Sequence, residues 1–174
     1  MNNKKALRKI LDQNEFVVLP GVYDCLSAKL AEEAGAKAVF LSGGALSIAN
    51  LGKPDIGFLS LTEFASSIQK ITSTINIPLI SDADNGFGNA IHVGNTARVF
   101  ESLNVCGMQI DDQVLHHTFP TTSKETLSWD LTGPNIDSIR KNVSDDFIII
   151  FRTIANMSKF HNLKTLILLI STIT

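Results

Sequence analysis

Short apolar runs alternate along the chain with longer segments whose apolar positions recur every three or four residues. "FVVLP" (Phe16 to Pro20) reads as a first strand, ended by the Pro20-Gly21 pair. "SAKLAEEAGA" (Ser27 to Ala36) is alanine-rich and stopped by glycine, which predicts a helix. "KAVFLSGG" (Lys37 to Gly44) reads as a second strand running into a glycine pair. The segment from Ser60 to Ile75 opens on the capping box Ser60-x-x-Glu63 and carries Phe64, Ile68 and Ile71 at helical spacing. "IPLISDAD" (Ile77 to Asp84) is the third strand. A helix from Ile91 to Val105 follows, with Val93, Ala97 and Phe100 as its buried stripe. "CGMQIDDQ" (Cys106 to Gln113) is the fourth strand. "GPNIDSIRKNV" (Gly133 to Val143) is a helix with proline in the first turn, where it is tolerated. "DFIIIFRTIA" (Asp146 to Ala155) is a fifth strand, nearly all apolar as a strand covered on both faces should be.

Strand and helix therefore alternate, which implies a parallel sheet with helices outside it. Polar residues gather after the strands, as in a (β/α) barrel whose site lies at the C-terminal strand ends. An open doubly wound sheet obeys the same rule and is the alternative. No Gly-x-Gly-x-x-Gly follows the first strand, which argues against a dinucleotide site. The length of 174 residues suits one domain, and 44% hydrophobic with 18% charged residues supplies a real core. A net charge of -2 leaves no dominant basic face, so nucleic acid is not an expected partner. Cys25 and Cys106, without a secretory signal, suggest reduced thiols in a cytoplasmic protein. The most apolar segment, Thr165 to Thr174, is about half of the roughly 20 residues needed to cross a bilayer, so no membrane association is expected.

Two strands end on acids. Asp82 and Asp84 are two apart, and on a strand such residues point the same way. Paired carboxylates repel unless a cation or proton neutralises them, and an all-oxygen set with room for water suits Mg²⁺. The simpler reading is that one aspartate caps the next helix and the other is solvated. Asp111 and Asp112 close the neighbouring strand, so both strands would aim acids at one opening. Ser42, Gly43 and Gly44 can offer N–H groups and a hydroxyl to an anionic oxygen, or can simply form a tight turn. Arg152, at the end of the fifth strand, can pair with a substrate carboxylate or with a nearby aspartate; charge alone does not choose.

Taken together, "PGVYDCLSAKLAEEAGAKAVFLSGGALSIANLGKPDIGFLSLTE", "SDADNGFGN" and "QIDDQV" resemble the isocitrate lyase / phosphoenolpyruvate mutase superfamily. The likeness runs from about Leu19 to Val114 and resumes at "FIIIFRT". It is nearest to short members such as methylisocitrate lyases, phosphonomutases and oxaloacetate-processing enzymes. The resemblance implies a (β/α)8 TIM-barrel type fold of which this chain carries about the first five β-α units. It implies Mg²⁺ and a small 2-oxo or 2-hydroxy carboxylate, with a C–C or P–C bond made or broken through an enolate-like intermediate. In that scheme Ser42, Gly43 and Gly44 hold the substrate's carboxylate and enolate oxygens. Asp84 is the main metal ligand, and Asp82 and Asp111 join mostly through water. Asp55 in "KPDIG" matches an aspartate near the reacting centre, and Arg152 a substrate-binding arginine. Full-length relatives are homo-oligomeric through C-terminal helices.

Three departures from the family's pattern stand out. Asp111 replaces a glutamate, and Gln109 replaces the histidine of many members. The lyases' Lys-x-Cys-Gly-His-like loop is absent, and the region reads "LHHTFPTTSKE" (Leu115 to Glu125). Isocitrate or methylisocitrate cleavage is therefore not expected, while mutase, decarboxylase or hydrolase chemistry stays open. His116 and His117 are either acid–base groups or polar residues of a lid loop. Lastly, Arg-Thr-Asp-Ala becomes Arg-Thr-Ile-Ala, and residues 154–174 form a divergent tail. The expectation is a partial barrel, about three strands short, with two open sheet edges. A non-catalytic remnant and an oligomerisation module are the readings that compete with an enzyme.

Overall fold

The computed structural model describes residues 3–13, 16–114, 126–153 and 166–170. Six strands form one sheet in the order β1 (Gly21–Val22), β2 (Val39–Leu41), β3 (Leu79–Asp82), β4 (Gly107–Asp111), β5 (Ile148–Thr153) and β6 (Leu166–Ile170). The first five are parallel neighbours in sequence order. A doubly wound sheet reverses its strand order partway, so this ordering selects the barrel-type α/β fold over that alternative. The helices are α1 (Asn3–Asp12), α2 (Cys25–Glu33), α3 (Gly43–Leu51), α4 (Leu61–Thr72), α5 (Ala90–Ser102) and α6 (Trp129–Asn142). No helix among the described residues is long and apolar enough to cross a membrane.

Period-two alternation sorts the strand residues between two apolar clusters. Val39, Leu41, Leu79, Met108, Ile110 and Ile149 pack with Phe64, Ile68 and Ile71 of α4, Val93, Ala97 and Phe100 of α5 and Ile139 of α6. The intervening positions Ala38, Ile80 and Ile148 join Cys106 and Leu7 in a second cluster, with Leu11 and Phe40 against it. The second cluster sits at the strands' beginnings, where α1 supplies Leu7. Polar residues follow at the strands' ends. This separation leaves the C-terminal ends of β3, β4 and β5 free for chemistry.

Local chemistry accounts for most boundaries. The Ser60 box is present as read: Ser60 Oγ accepts from Glu63 N at 3.4 Å, and Glu63 Oε2 accepts from Ser60 N at 2.7 Å. Asp24 and Ser27 build a second box that starts α2 two residues earlier than expected. Gly107 lets β4 run close to β5; a Cβ there would lie 2.7 Å from the Ile148 carbonyl oxygen.

Four expectations are corrected. Phe16 to Pro20 is not a strand: Phe16 is 94% exposed, and of this run only Pro20 enters the ladder, its carbonyl accepting from Phe40 N at 3.0 Å. Apolar composition does not make a strand without a partner, and the backbone finds one only from Pro20 onward. Gly43 and Gly44 do not end a strand but begin α3, behind an N-cap at Ser42. The helix of Gly133 starts four residues earlier, at Trp129, so Pro134 lies inside it. Its missing N–H frees the carbonyl of Asp130, a residue exposed to water, which limits the cost. Finally, the outer edge of β5 is not open, because β6 pairs with it antiparallel, Phe151 opposite Leu168. The remainder of the tail, 154–165 and 171–174, lies outside the described residues.

Candidate active site

The ends of β3, β4 and β5 bring Asp82, Asp111 and Arg152 side by side, through register pairs Asp82–Gln109 and Asp111–Arg152. Asp84 joins them by a route other than strand alternation. β3 stops at Asp82, and a turn closed by Gly86 N to Ala83 O at 2.7 Å carries Asp84 at φ 47°. Aspartate tolerates this left-handed backbone better than most residues because its short side chain bonds locally. The turn is pinned on both sides: Asp84 N donates to Asp82 Oδ1 at 3.1 Å, and Asp84 O accepts from Asp111 N at 2.7 Å. The expectation that Asp82 and Asp84 share a strand face is thus corrected, although the two carboxylates still meet.

The first turn of α3 lies against the same acids. Gly43 N donates to Asp82 Oδ2 at 3.3 Å, and Ser42 Oγ accepts from Ala45 N at 3.2 Å. A Cβ on Gly43 would lie 3.1 Å from Asp82 Oδ2, and one on Gly44 3.0 Å from Asp55 Oδ2. The glycine pair therefore lets the helix start press against two carboxylates that a side chain would push away. Ser42, Gly43, Gly44, Asp55, Asp82, Asp84, Asp111 and Arg152 form one locality.

Four carboxylates there face one guanidinium, and the electrostatics follow. Burial, then the charge of Asp111, pushes Asp82 up to about 6, against the pull of Arg152. Burial, then the charges of Asp82, Asp55 and Asp111, pushes Asp84 up to about 8. Asp111 is matched: its Oδ1 accepts from Arg152 Nε at 2.7 Å, its Oδ2 from Arg152 Nη2, and Oδ2 also from Gln113 Nε2 at 2.9 Å. Burial draws the Arg152 guanidinium down, but Asp111, Asp82 and Asp84 outweigh it and hold its pKa above the ordinary value. Of the two pairings open to Arg152 from sequence, this structure shows the one with aspartate. Asp112 faces elsewhere and accepts from the Thr153 hydroxyl.

A cavity of about 520 Å³ opens beside Asp84, with Asn85, His92, Asn95, Thr96 and Gln113 also on its wall. Gln113 was absent from the expected set. It stands two residues beyond Asp111, so strand periodicity was the signal that could have found it. Phe87, at φ 63°, also lines the cavity and meets the Phe64 ring edge-on at 5.4 Å. His116 and His117 lie outside the described residues.

Among the described residues, no group of three or more His, Cys, Asp and Glu is spaced to hold a metal ion by itself. Burial and neighbouring carboxylates hold Asp82 and Asp84 above the ordinary carboxylate range, so a cation beside them would favour their charged forms.

Strands in sequence order, with an acidic cluster at their C-terminal ends, define a protein of the (β/α)-barrel class. The chain belongs to the phosphoenolpyruvate phosphomutase family, which it matches over residues 7–165. It is 34% identical over 161 residues to 2,3-dimethylmalate lyase of Eubacterium barkeri, covering 91% of this chain and 56% of that protein. It is 42% identical over 110 residues to 2-methylisocitrate lyase of Aeropyrum pernix, covering 63% and 35% respectively. A solved phosphonopyruvate hydrolase in complex with oxalate and Mg²⁺ superposes with a TM-score of 0.81 at 32% identity, over 91% of this chain and 55% of that one. The chain thus spans about half the length of these proteins or less.

Proposed function

We propose that the chain is a Mg²⁺-dependent enzyme, of lyase or mutase type, acting on a small 2-oxo or 2-hydroxy carboxylate. The observation that carries this reading is the convergence of Asp55, Asp82, Asp84 and Asp111 on one locality beside a helix start, with Arg152 as the cation bonded there to Asp111. Asp84 would hold the dication, with Asp82 and Asp111 reaching it mostly through water. Mg²⁺ there supplies charge neutralisation and stabilises negative charge developing on a substrate oxygen, a contribution of several kcal/mol.

The chain's own groups divide the remaining tasks. Ser42, Gly43 and Gly44 would offer N–H groups and a hydroxyl to a carboxylate or enolate oxygen, the Gly43 N–H by exchanging Asp82 Oδ2 for it. Arg152 orients Asp111 and keeps its charge balanced in a buried setting, and its guanidinium remains close enough to the acids to pair with a substrate carboxylate. Asp55, against Gly44, would handle a proton at the reacting centre. The bond that reacts lies next to a pyruvate-like unit, either C–C or P–C. The relative solved with oxalate and Mg²⁺ supports this ligand class.

Isothermal calorimetry with oxalate, a mimic of a pyruvate enolate, tests the proposal. Saturable binding that requires Mg²⁺ is the expected outcome, and the absence of heat from folded protein with Mg²⁺ present contradicts it.

A further inference from the structure

Gln109 stands in the middle of β4, flanked by Met108 and Ile110, which both belong to the helix-side core. Alternation therefore puts its side chain on the other face, the face of Asp111. Its register partners there are Asp82 on β3 and Ile150 on β5. The residue is 6% exposed, yet its Nε2 is fully buried and meets no acceptor. A buried donor left unmade is costly, and such groups are uncommon in native proteins.

Asp82 beside this amide and Asp111 two residues further along β4 are both engaged with other donors. Asp82 accepts from Asp84 N through Oδ1 and from Gly43 N through Oδ2. Asp111 accepts from Arg152 through both oxygens and from Gln113 through Oδ2. Those bonds occupy the acids with other donors, and the Gln109 amide donates to neither of them. Being an amide, it cannot ionise, so it adds a hydrogen-bond donor without adding charge to a site already crowded with acids.

We infer that the Gln109 amide donates to an oxygen of the anion bound at the strand ends, fixing the inner end of that ligand as an acceptor. The inference rests on the proposed binding of a carboxylate with Mg²⁺ and adds a specificity-determining residue to it. Ligands that place a keto or carboxylate oxygen inward are favoured. Ligands that place an apolar or donor group inward leave the amide unpaired and are rejected.

The test is oxalate titration with Mg²⁺ on the full chain, paired with thermal melts of ligand-free protein. Gln109→Met keeps the volume and removes the donor. It is expected to weaken oxalate about tenfold, the worth of one hydrogen bond to a charged acceptor. It should leave ligand-free melting unchanged or slightly raised, because no existing bond is broken. That split separates a ligand contact from a merely structural role. Gln109→Glu, which converts the donor into an acceptor of similar size, is expected to cost more and carries the test if Gln109→Met does not fold. Native affinity in either variant overturns the inference and leaves the proposed function standing, as does parallel loss of melting temperature and affinity. Failure of the unaltered chain to bind oxalate removes the proposed function and this inference together.

Discussion

Asp84 shows how a single residue joins strain, burial and charge. It occupies a left-handed backbone, it is half-buried, and it lies among three other carboxylates. Folding therefore raises its affinity for a proton, and that of Asp82. The sign of the pH effect follows. A native state that binds protons the unfolded chain has released loses stability as pH rises, here from about pH 4 to about pH 8. Metal-free protein should melt at progressively lower temperature across that interval. Mg²⁺ competes with those protons, so its stabilising effect should be larger at pH 8 than at pH 5. Asp84→Asn should flatten the metal-free slope and remove most of the Mg²⁺ response, read by thermal melts with and without 10-fold dilution of the metal. A metal-free melting temperature that rises steadily over the same interval contradicts this assignment. The Arg152–Asp111 pair makes a second point at this scale. Its register is fixed by β4 lying against β5, a contact 41 residues apart that local sequence does not encode.

At the scale of elements, β4 and β5 must approach closely for Asp111 to reach Arg152, and Gly107 is where they do so. Gly107→Ala should destabilise the fold by about 1–3 kcal/mol through overpacking against the Ile148 backbone, measured by urea denaturation. Wild-type stability in that variant would mean that the two strands have room to spare. The elements legible in the sequence are those whose signals are local. The Ser60 box and the stripe of Phe64, Ile68 and Ile71 specify α4 within one segment, and the structure shows both. The end of β3 was legible as an acidic locality but not as a geometry, because a turn and a bond from Asp111 N, not alternation, set the direction of Asp84. Phe16 to Pro20 misled for a related reason: strand propensity says nothing about whether a neighbour is available. The helix beginning at Gly43 was hidden because a glycine pair after an apolar run reads as a turn. Only the capping serine at Ser42 pointed the other way.

For the whole molecule, five parallel strands in sequence order place an apolar cluster at one end and a polar site at the other. The acids cost stability at one end, and the packed beginnings of the strands, capped by α1, offset that cost. The sequence carried this plan in its alternation of elements and in its resemblance to the superfamily; the antiparallel β6 on the edge of β5 was not foreseen. The proposed function requires that separate strand ends share one dication and one carboxylate ligand. Its most direct test is an anomalous difference map from crystals grown with Mn²⁺, in place of Mg²⁺, and oxalate. The predicted result is a single peak bonded to Asp84, at about 2.0–2.2 Å as hard-cation coordination requires, with oxalate between it and the Gly43–Gly44 turn. A peak remote from Asp84, or oxalate bound away from the strand ends, would contradict it.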